Sequence, residues 1–154
     1  MLELGIEIDS SIFPTSRGHG GYQGFPYSSP CKLNIGGSII KELPINTYKL
    51  LGKEIVFSGG GYFRLLPYNL QKQLYQKSEY IMTYFHPRDF DPNQPVLENL
   101  SRVRKFKSYV GLKNSKQKFP KLLNDFEFVD IKTADEVIDW ERVAEVKVLV
   151  KSKK

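Results

Sequence analysis

The stretch that decides the fold is residues 55–86, IVFSGGGYFRLLPYNLQKQLYQKSEYIMTYFH. Its short apolar run, Ile55–Phe57, predicts a strand and continues into three glycines, which allow positive φ angles and close backbone approach. A helix is predicted over Pro67–Lys77, because proline suits a first turn and leucine recurs every fourth residue on one face. The apolar and aromatic run Tyr80–Phe85 predicts a buried strand. The stretch therefore predicts strand, helix and strand in succession.

The rest of the chain continues this alternation. Ile39–Leu51 alternates like a strand, but Pro44 restricts it to an edge strand or to two short pieces. Upstream, Pro14–Gly37 is rich in Gly, Pro and Ser and predicts a long loop. Downstream, the patterns predict a helix over Lys116–Asn124, a strand over Phe126–Asp130, a capping box at Thr133–Glu136 and a strand over Val146–Val150. Strands that alternate with helices favour an α/β fold with a largely parallel sheet.

Length and composition exclude several classes of protein. A chain of 154 residues with 40% hydrophobic and 13% aromatic residues has the size of one domain and can bury a core. The single cysteine excludes an internal disulfide and a Cys-based zinc ribbon, and His19 and His86 cannot form a His-rich metal site alone. No apolar window long enough for a transmembrane segment and no signal peptide is present, which predicts a cytoplasmic location.

The positive charge is concentrated in one segment. Residues 101–121 contain eight Lys and Arg and no acid, so that with a net charge of +6 the remaining chain sums to −2. Such a segment can attract phosphates or anionic polysaccharide, or it can be a solvated surface of loop and helix. Phe106 and Tyr109 lie among the cations, but no nucleic-acid motif accompanies them, and no nucleic-acid partner is predicted.

His86 is the sharpest single candidate for chemistry. It follows the predicted buried strand, at the end of the sheet where α/β enzymes place their active sites. A histidine there can transfer a proton near neutral pH, but a histidine that caps the strand through backbone hydrogen bonds fits equally well. Asp9, after a short predicted strand, can bind a sugar hydroxyl or form an Asx turn. Ser58–Gly61 can approach a ligand through backbone amides or form a tight turn, and it fits no phosphate-binding motif.

Several long motifs, in order, carry a resemblance to a known family. They are Glu7–Pro14, Glu42–Gly52, Ser58–Tyr68 (SGGGYFRLLPY), Tyr84–Pro95 (YFHPRDFDPNQP) and Leu100–Val110. Together they resemble the C-terminal part of a polysaccharide deacetylase of the NodB-homology superfamily, in its bacterial exopolysaccharide-associated branch with an extra C-terminal region. The resemblance covers about residues 1–130, and it divides the chain into 1–130, the deacetylase portion, and 131–154, a C-terminal extension.

The resemblance implies a fold, a reaction and roles for particular residues. It implies the C-terminal part of a distorted (β/α)7 barrel that removes N-acetyl groups from a glycan, either an exopolysaccharide or peptidoglycan. In the family a divalent metal, often zinc, polarises the amide carbonyl and activates water. His86 matches the late-strand histidine that acts as general acid, and Asp9 matches a polar residue at a strand end that faces the cleft. By the same resemblance Gly60, Gly61, Tyr62 and Arg64 shape the substrate groove.

Two departures from the family pattern affect these expectations. The usual His-Pro-Trp-Glu is replaced by His86-Pro87-Arg88-Asp89, so a cation stands where the family has an aromatic wall. The early Thr-Phe-Asp-Asp-Gly and His-x-x-x-His motifs that hold the metal are absent. The chain alone is therefore expected to bind no catalytic metal, to be inactive, and to self-associate or to pair with a missing N-terminal half. The alternative is a non-catalytic module that binds anionic glycan or a partner protein through residues 101–121.

Overall fold

A computed structural model describes residues 4–15, 21–50 and 52–148. Its elements, in chain order, are β1 (Ile8–Asp9), β2 (Cys31–Ile35), β3 (Ser38–Glu42), β4 (Thr47–Leu50), β5 (Lys53–Val56), α1 (Gly60–Leu65), α2 (Tyr68–Gln76), a 3-10 helix (Pro87–Phe90), α3 (Arg102–Tyr109), α4 (Leu112–Asp125), α5 (Ile131–Val137) and β6 (Ala144–Val148). His19 lies outside the described residues.

The chain divides into two compact units. The first comprises Met1–Ile55 together with Val129–Lys154, and the second comprises Val56–Phe128. This grouping differs from the expected boundary at residue 130, because β6 pairs in parallel with β2 and so joins the expected C-terminal extension to the first unit.

A four-stranded mixed sheet forms the centre of the first unit. Its strand order is β1-β3-β2-β6, in which β1–β3 and β2–β6 are parallel and β2–β3 is antiparallel. Strands β4 and β5 form a second, two-stranded sheet. The hydrophobic core against this sheet is formed by the buried residues Phe25, Cys31, Leu33 and Ile40. Two of the three pairings in this sheet are parallel and one is antiparallel, so the sheet is mixed, and the largely parallel sheet of a seven-stranded barrel stays a prediction.

The prediction of one long loop over Pro14–Gly37 was wrong, because β2 lies inside it. A two-residue turn, Gly36–Gly37, joins β2 to β3, and both glycines have positive φ, 62° and 94°. Glycine reaches these angles without strain, and turns of this kind match the twist of a hairpin. Two of the six glycines in this range therefore belong to a hairpin turn.

The interruption expected at Pro44 is confirmed, since β3 ends at Glu42 and β4 begins at Thr47. The helix expected over Pro67–Lys77 is confirmed as α2. Its buried face passes through Gln71, Leu74 and Tyr75, whereas Leu70 is partly exposed.

Other expectations about local structure were wrong. The run Tyr80–Phe85 forms no strand and makes a single parallel bridge, between Tyr84 and Gly59. Phe126–Asp130 is extended without a strand partner among the described residues.

Asp130, rather than Thr133, caps α5, because its side chain accepts a hydrogen bond from the Thr133 N–H at 2.7 Å. The helix expected over Lys116–Asn124 is present as α4, which extends beyond it at both ends. The strand expected over Val146–Val150 is present as β6, and residues 149–150 lie outside the described range.

A cluster of aromatic side chains, of which Phe63 is buried and the others are half-buried, packs together in the second unit. Phe85 packs edge-on against Phe63, with ring centroids 4.9 Å apart, and against Phe119 at 5.3 Å. Phe90 packs against both Phe85 and Phe119. Such edge-to-face pairs stabilise a core beyond the area that they bury. This cluster explains why the run that ends at Phe85 is anchored without a strand ladder.

Candidate functional site

His86 lies at the surface of the second unit, immediately before the 3-10 helix. The Gly59–Tyr84 bridge ends two residues upstream, so His86 leaves the end of a short parallel pairing. Its imidazole is exposed and contacts the Tyr84 ring edge-on, with centroids 6.2 Å apart and an interplanar angle of 77°. An imidazole placed in this way can exchange a proton with a ligand in solvent.

A buried ion pair holds the backbone of His86. Asp89 Oδ2 accepts a hydrogen bond from the His86 N–H at 3.0 Å, and the Asp89 N–H donates to the His86 carbonyl at 2.8 Å. The other carboxylate oxygen, Oδ1, lies 3.1 Å from Arg64 Nε. The arginine and aspartate side chains are only 6% and 4% exposed. Because charges at this depth are poorly screened, the pair fixes the position from which the histidine side chain projects.

Arg64 also joins α1 to the end of α3. Its Nη1 donates to the carbonyls of Ser108 and Val110, at 2.7 and 3.3 Å, and its Nη2 donates to that of Lys107 at 3.0 Å. Burial lowers the pKa of the guanidinium, an effect that the neighbouring Asp89 carboxylate opposes. We expected Arg64 to shape the substrate groove. Its burial and these partners favour a structural role over direct contact with a substrate.

Lys118 is a second cation that serves the fold of this unit. Its Nζ donates to the carbonyls of Phe63, Arg64 and Leu66, at 3.1, 2.9 and 2.7 Å. These carbonyls lie at the C-terminal end of α1, where the helix leaves them without partners and where a positive charge is favourable. Partial burial lowers the pKa of Lys118. One of the eight basic residues in 101–121 is therefore turned inward.

The glycine triplet makes room for Tyr84. A Cβ atom on Gly59 would lie 2.0 Å from the Tyr84 carbonyl oxygen, and one on Gly60 would lie 2.7 Å from the Tyr84 hydroxyl. Gly60 also has a positive φ of 55° and donates its N–H to the Tyr84 carbonyl at 3.2 Å. Gly60 therefore lies next to the segment that carries His86. Tyr62, two residues further along α1, has a partly exposed ring.

Replacing Gly60 with alanine should lower the free energy of unfolding by about 1–2 kcal/mol, because a side chain would be held in the left-handed region against Tyr84. Urea unfolding followed by circular dichroism measures the change. The neighbouring Gly61→Ala is the matched control, since its Cβ would meet Arg64 Nη2 at an ordinary 3.5 Å. Equal effects of the two substitutions would contradict the close packing of Gly60 on Tyr84.

Asp9 lies in the first unit, at the end of β1. It accepts hydrogen bonds from the Ser10 N–H at 3.0 Å through Oδ1 and from the Ser11 hydroxyl at 2.7 Å through Oδ2. Its partner in the parallel register is Glu42, the last residue of β3. Two carboxyl groups therefore stand at the C-terminal ends of neighbouring parallel strands, the edge at which α/β proteins commonly bind ligands.

Glu42 is the residue that the sequence analysis missed. Its side chain is fully buried, Oε1 accepts from the Ile12 N–H at 3.1 Å, and no described residue donates to Oε2. Burial, as the largest cause, and the nearby Asp9 carboxylate together raise the pKa of Glu42 to about 7, against the opposing effect of the hydrogen bond from the Ile12 N–H. The pair can therefore hold one proton near neutral pH, with Glu42 protonated and Asp9 accepting hydrogen bonds.

The described residues do not supply a metal site. Within residues 4–15, 21–50 and 52–148, no three His, Cys, Asp or Glu side chains lie close enough together to hold a metal ion. No helix in the same part of the chain is both long and apolar enough to span a membrane.

Fold and site together define a mixed α/β protein that presents an exposed histidine on a buried ion pair. Residues 10–136 match the family described as "Domain of unknown function (DUF3473)", and the chain belongs to that family. This domain is found in polysaccharide deacetylase-associated proteins. No curated protein and no solved structure matches the chain.

Proposed function

We propose that this chain forms part of a metal-dependent polysaccharide deacetylase of the NodB-homology superfamily, in which His86 is the general acid. The substrate would be an N-acetylated polysaccharide, either an exopolysaccharide or peptidoglycan. The observation that carries the proposal is the exposed imidazole whose backbone is held by the buried Arg64–Asp89 pair. Membership of a family found in deacetylase-associated proteins supports it. The described strands would belong to the C-terminal part of a distorted (β/α) barrel.

The proposed role of His86 follows from the needs of amide hydrolysis. When the bond between the acetyl carbon and the sugar nitrogen breaks, the departing amine must receive a proton. The exposed imidazole can deliver that proton, and the Tyr84 ring restricts the orientations of the imidazole. Asp89 stands at the acidic position of the family's His-Pro-Trp-Glu pattern, where it holds the backbone of His86 rather than meeting the substrate. The described residues do not form the zinc site of the family, so no step here is assigned to the metal.

Replacing His86 with alanine in the natural gene product that carries this sequence should lower kcat for acetate release about 10²–10⁴-fold, with a smaller change in KM. The reason is that the departing amine loses its proton donor while the groove is unchanged. Acetate released from an N-acetylated oligosaccharide measures the rate, and added imidazole should restore part of it.

Lys77→Ala is a matched control for this experiment, because Lys77 is exposed in the same unit and is not a candidate for the site. It should keep the wild-type kcat and KM. A His86→Ala protein with wild-type kcat would refute the role of general acid, and a loss that imidazole does not restore would indicate a structural role instead.

A further inference from the structure

One face of α3 combines apolar and cationic side chains in a way that the proposed reaction does not use. Helix α3 buries no residue, and Val103 and Phe106 are 63% and 58% exposed. At 100° per residue, the order around the helix is Arg102, Phe106, Val103 and Lys107, within an arc of about 140°. All four residues are exposed. The two apolar side chains therefore lie in the centre of the strip, with a cation on each side.

A second apolar pair is fixed beside this strip. Val96 and Leu97 are 56% and 60% exposed, and they follow a proline-containing loop. The Tyr109 hydroxyl accepts from the Leu97 N–H and donates to the Pro95 carbonyl, both at 2.9 Å, and so ties the loop to α3. We call the six residues Val96, Leu97, Arg102, Val103, Phe106 and Lys107 the α3 surface.

The α3 surface is held rigidly from behind. The buried guanidinium of Arg64 donates to the carbonyls of Lys107 and Ser108 in the last turn of α3. The backbone that carries the exposed side chains therefore need not be ordered when a partner binds, which lowers the cost of association. A rigid apolar patch that is left exposed commonly marks an interaction site.

Charge complementarity indicates an anionic partner. The segment 101–121 contains eight Lys and Arg and no acid, and two of these cations, Arg102 and Lys107, are exposed on the α3 surface. An anionic polysaccharide would satisfy the cations but would leave Val103 and Phe106 in water. A lipid interface accepts both, because apolar side chains enter the acyl boundary while Lys and Arg reach the headgroup phosphates.

We propose that the α3 surface binds the surface of an anionic lipid bilayer. The apolar centre, Val103 and Phe106, enters the interface together with Val96 and Leu97. Arg102 and Lys107 contact the lipid phosphates on either side. The interaction would hold the protein at a membrane surface through α3, and it is independent of the deacetylase reaction.

Sedimentation of the 154-residue chain with vesicles tests this proposal. The chain should bind vesicles that contain phosphatidylglycerol more tightly than neutral phosphatidylcholine vesicles, and its binding to the anionic vesicles should weaken at high salt. Phe106→Ser should lower the partition coefficient roughly tenfold, because a large apolar side chain no longer enters the interface. Lys107→Glu should lower it at least about fivefold, because a cation near the anionic surface is lost. Both positions are exposed, so circular dichroism should show unchanged folding.

Two matched controls separate the α3 surface from general properties of the chain. Leu123→Ser removes an exposed apolar side chain from α4, and Lys77→Glu makes the same charge change outside α3. Neither should change the partition coefficient as much as its α3 counterpart. Equal binding to both vesicle types, or no binding at low salt, would overturn the proposal. Tight binding to polygalacturonate that Phe106→Ser leaves unchanged would overturn it in favour of an anionic glycan.

Discussion

Replacing Asp89 with alanine should lower the free energy of unfolding by about 3–5 kcal/mol, the effect expected when one partner of a buried ion pair is removed. Arg64 would remain buried, with its positive charge facing an apolar side chain. The His86 N–H would also lose its acceptor. Urea unfolding of the 154-residue chain, followed by far-ultraviolet circular dichroism, measures the change.

Two further variants make this result interpretable. Asp125→Ala removes the partner of a more exposed ion pair with Lys72 in the same unit, together with the acceptor of the Tyr68 hydroxyl, and it should have a smaller effect. The conservative variant Asp89→Asn keeps a side-chain oxygen that can accept from the His86 N–H and should lose less stability than Asp89→Ala. An Asp89→Ala protein as stable as the wild type would show that the pair does not hold the second unit together.

The sequence predicts those elements whose formation depends on local signals. Helix α2 is an example, because a proline at its start and regularly spaced leucines act within a few residues of one another. The run Tyr80–Phe85 has the composition of a buried strand, but a strand needs a neighbour, and apolar composition does not report whether one is present. Tyr84 meets only Gly59 in a single bridge, and Phe85 is held by aromatic rings from other elements.

The candidate site was predicted in part. The position of His86 in the chain and its motif could be read from the sequence, but what holds it could not. Arg64 and Asp89 are 25 positions apart, and the guanidinium also reaches carbonyls more than 40 positions away. Such a network exists only in the folded unit, so an arginine beside a glycine triplet was expected in the groove and is instead buried.

Glu42 had a signal that sequence reasoning could have used. Side chains two positions apart on a strand share a face, so Glu42 must lie on the same side of β3 as the buried Ile40. An acid at a core position of a strand is uncommon and marks a carboxyl group with an unusual environment. The structure adds what the pattern cannot give, namely that Asp9 on β1 is its partner in the register.

The Glu42→Gln protein should gain stability over the wild type as the pH rises. The difference between their free energies of unfolding should grow from about pH 4.5 to about pH 8. The pKa of Glu42 is raised from 4.5 to about 7 in the folded protein. Below pH 4.5 the carboxyl group is protonated in both states. Between pH 4.5 and about pH 7, the unfolded chain loses the Glu42 proton while the folded protein keeps it. The free energy of unfolding of the wild type therefore falls over this range. The full difference corresponds to roughly 3 kcal/mol.

Because the glutamine amide stays neutral, the variant lacks this loss while it keeps the local hydrogen bonds. Its oxygen can accept from the Ile12 N–H, and its NH2 group can donate to the neighbouring Asp9 carboxylate. Urea unfolding at pH 4.5, 6 and 8 measures the difference, and Glu54→Gln, at an exposed glutamate in the same unit, should give the same small difference at every pH. Asp9→Asn removes the neighbouring charge and should reduce the pH dependence without abolishing it, because burial is the larger cause. If Glu42→Gln and the wild type instead follow parallel curves over this range, Glu42 is already ionised in the folded protein, and the carboxyl pair holds no proton near neutral pH.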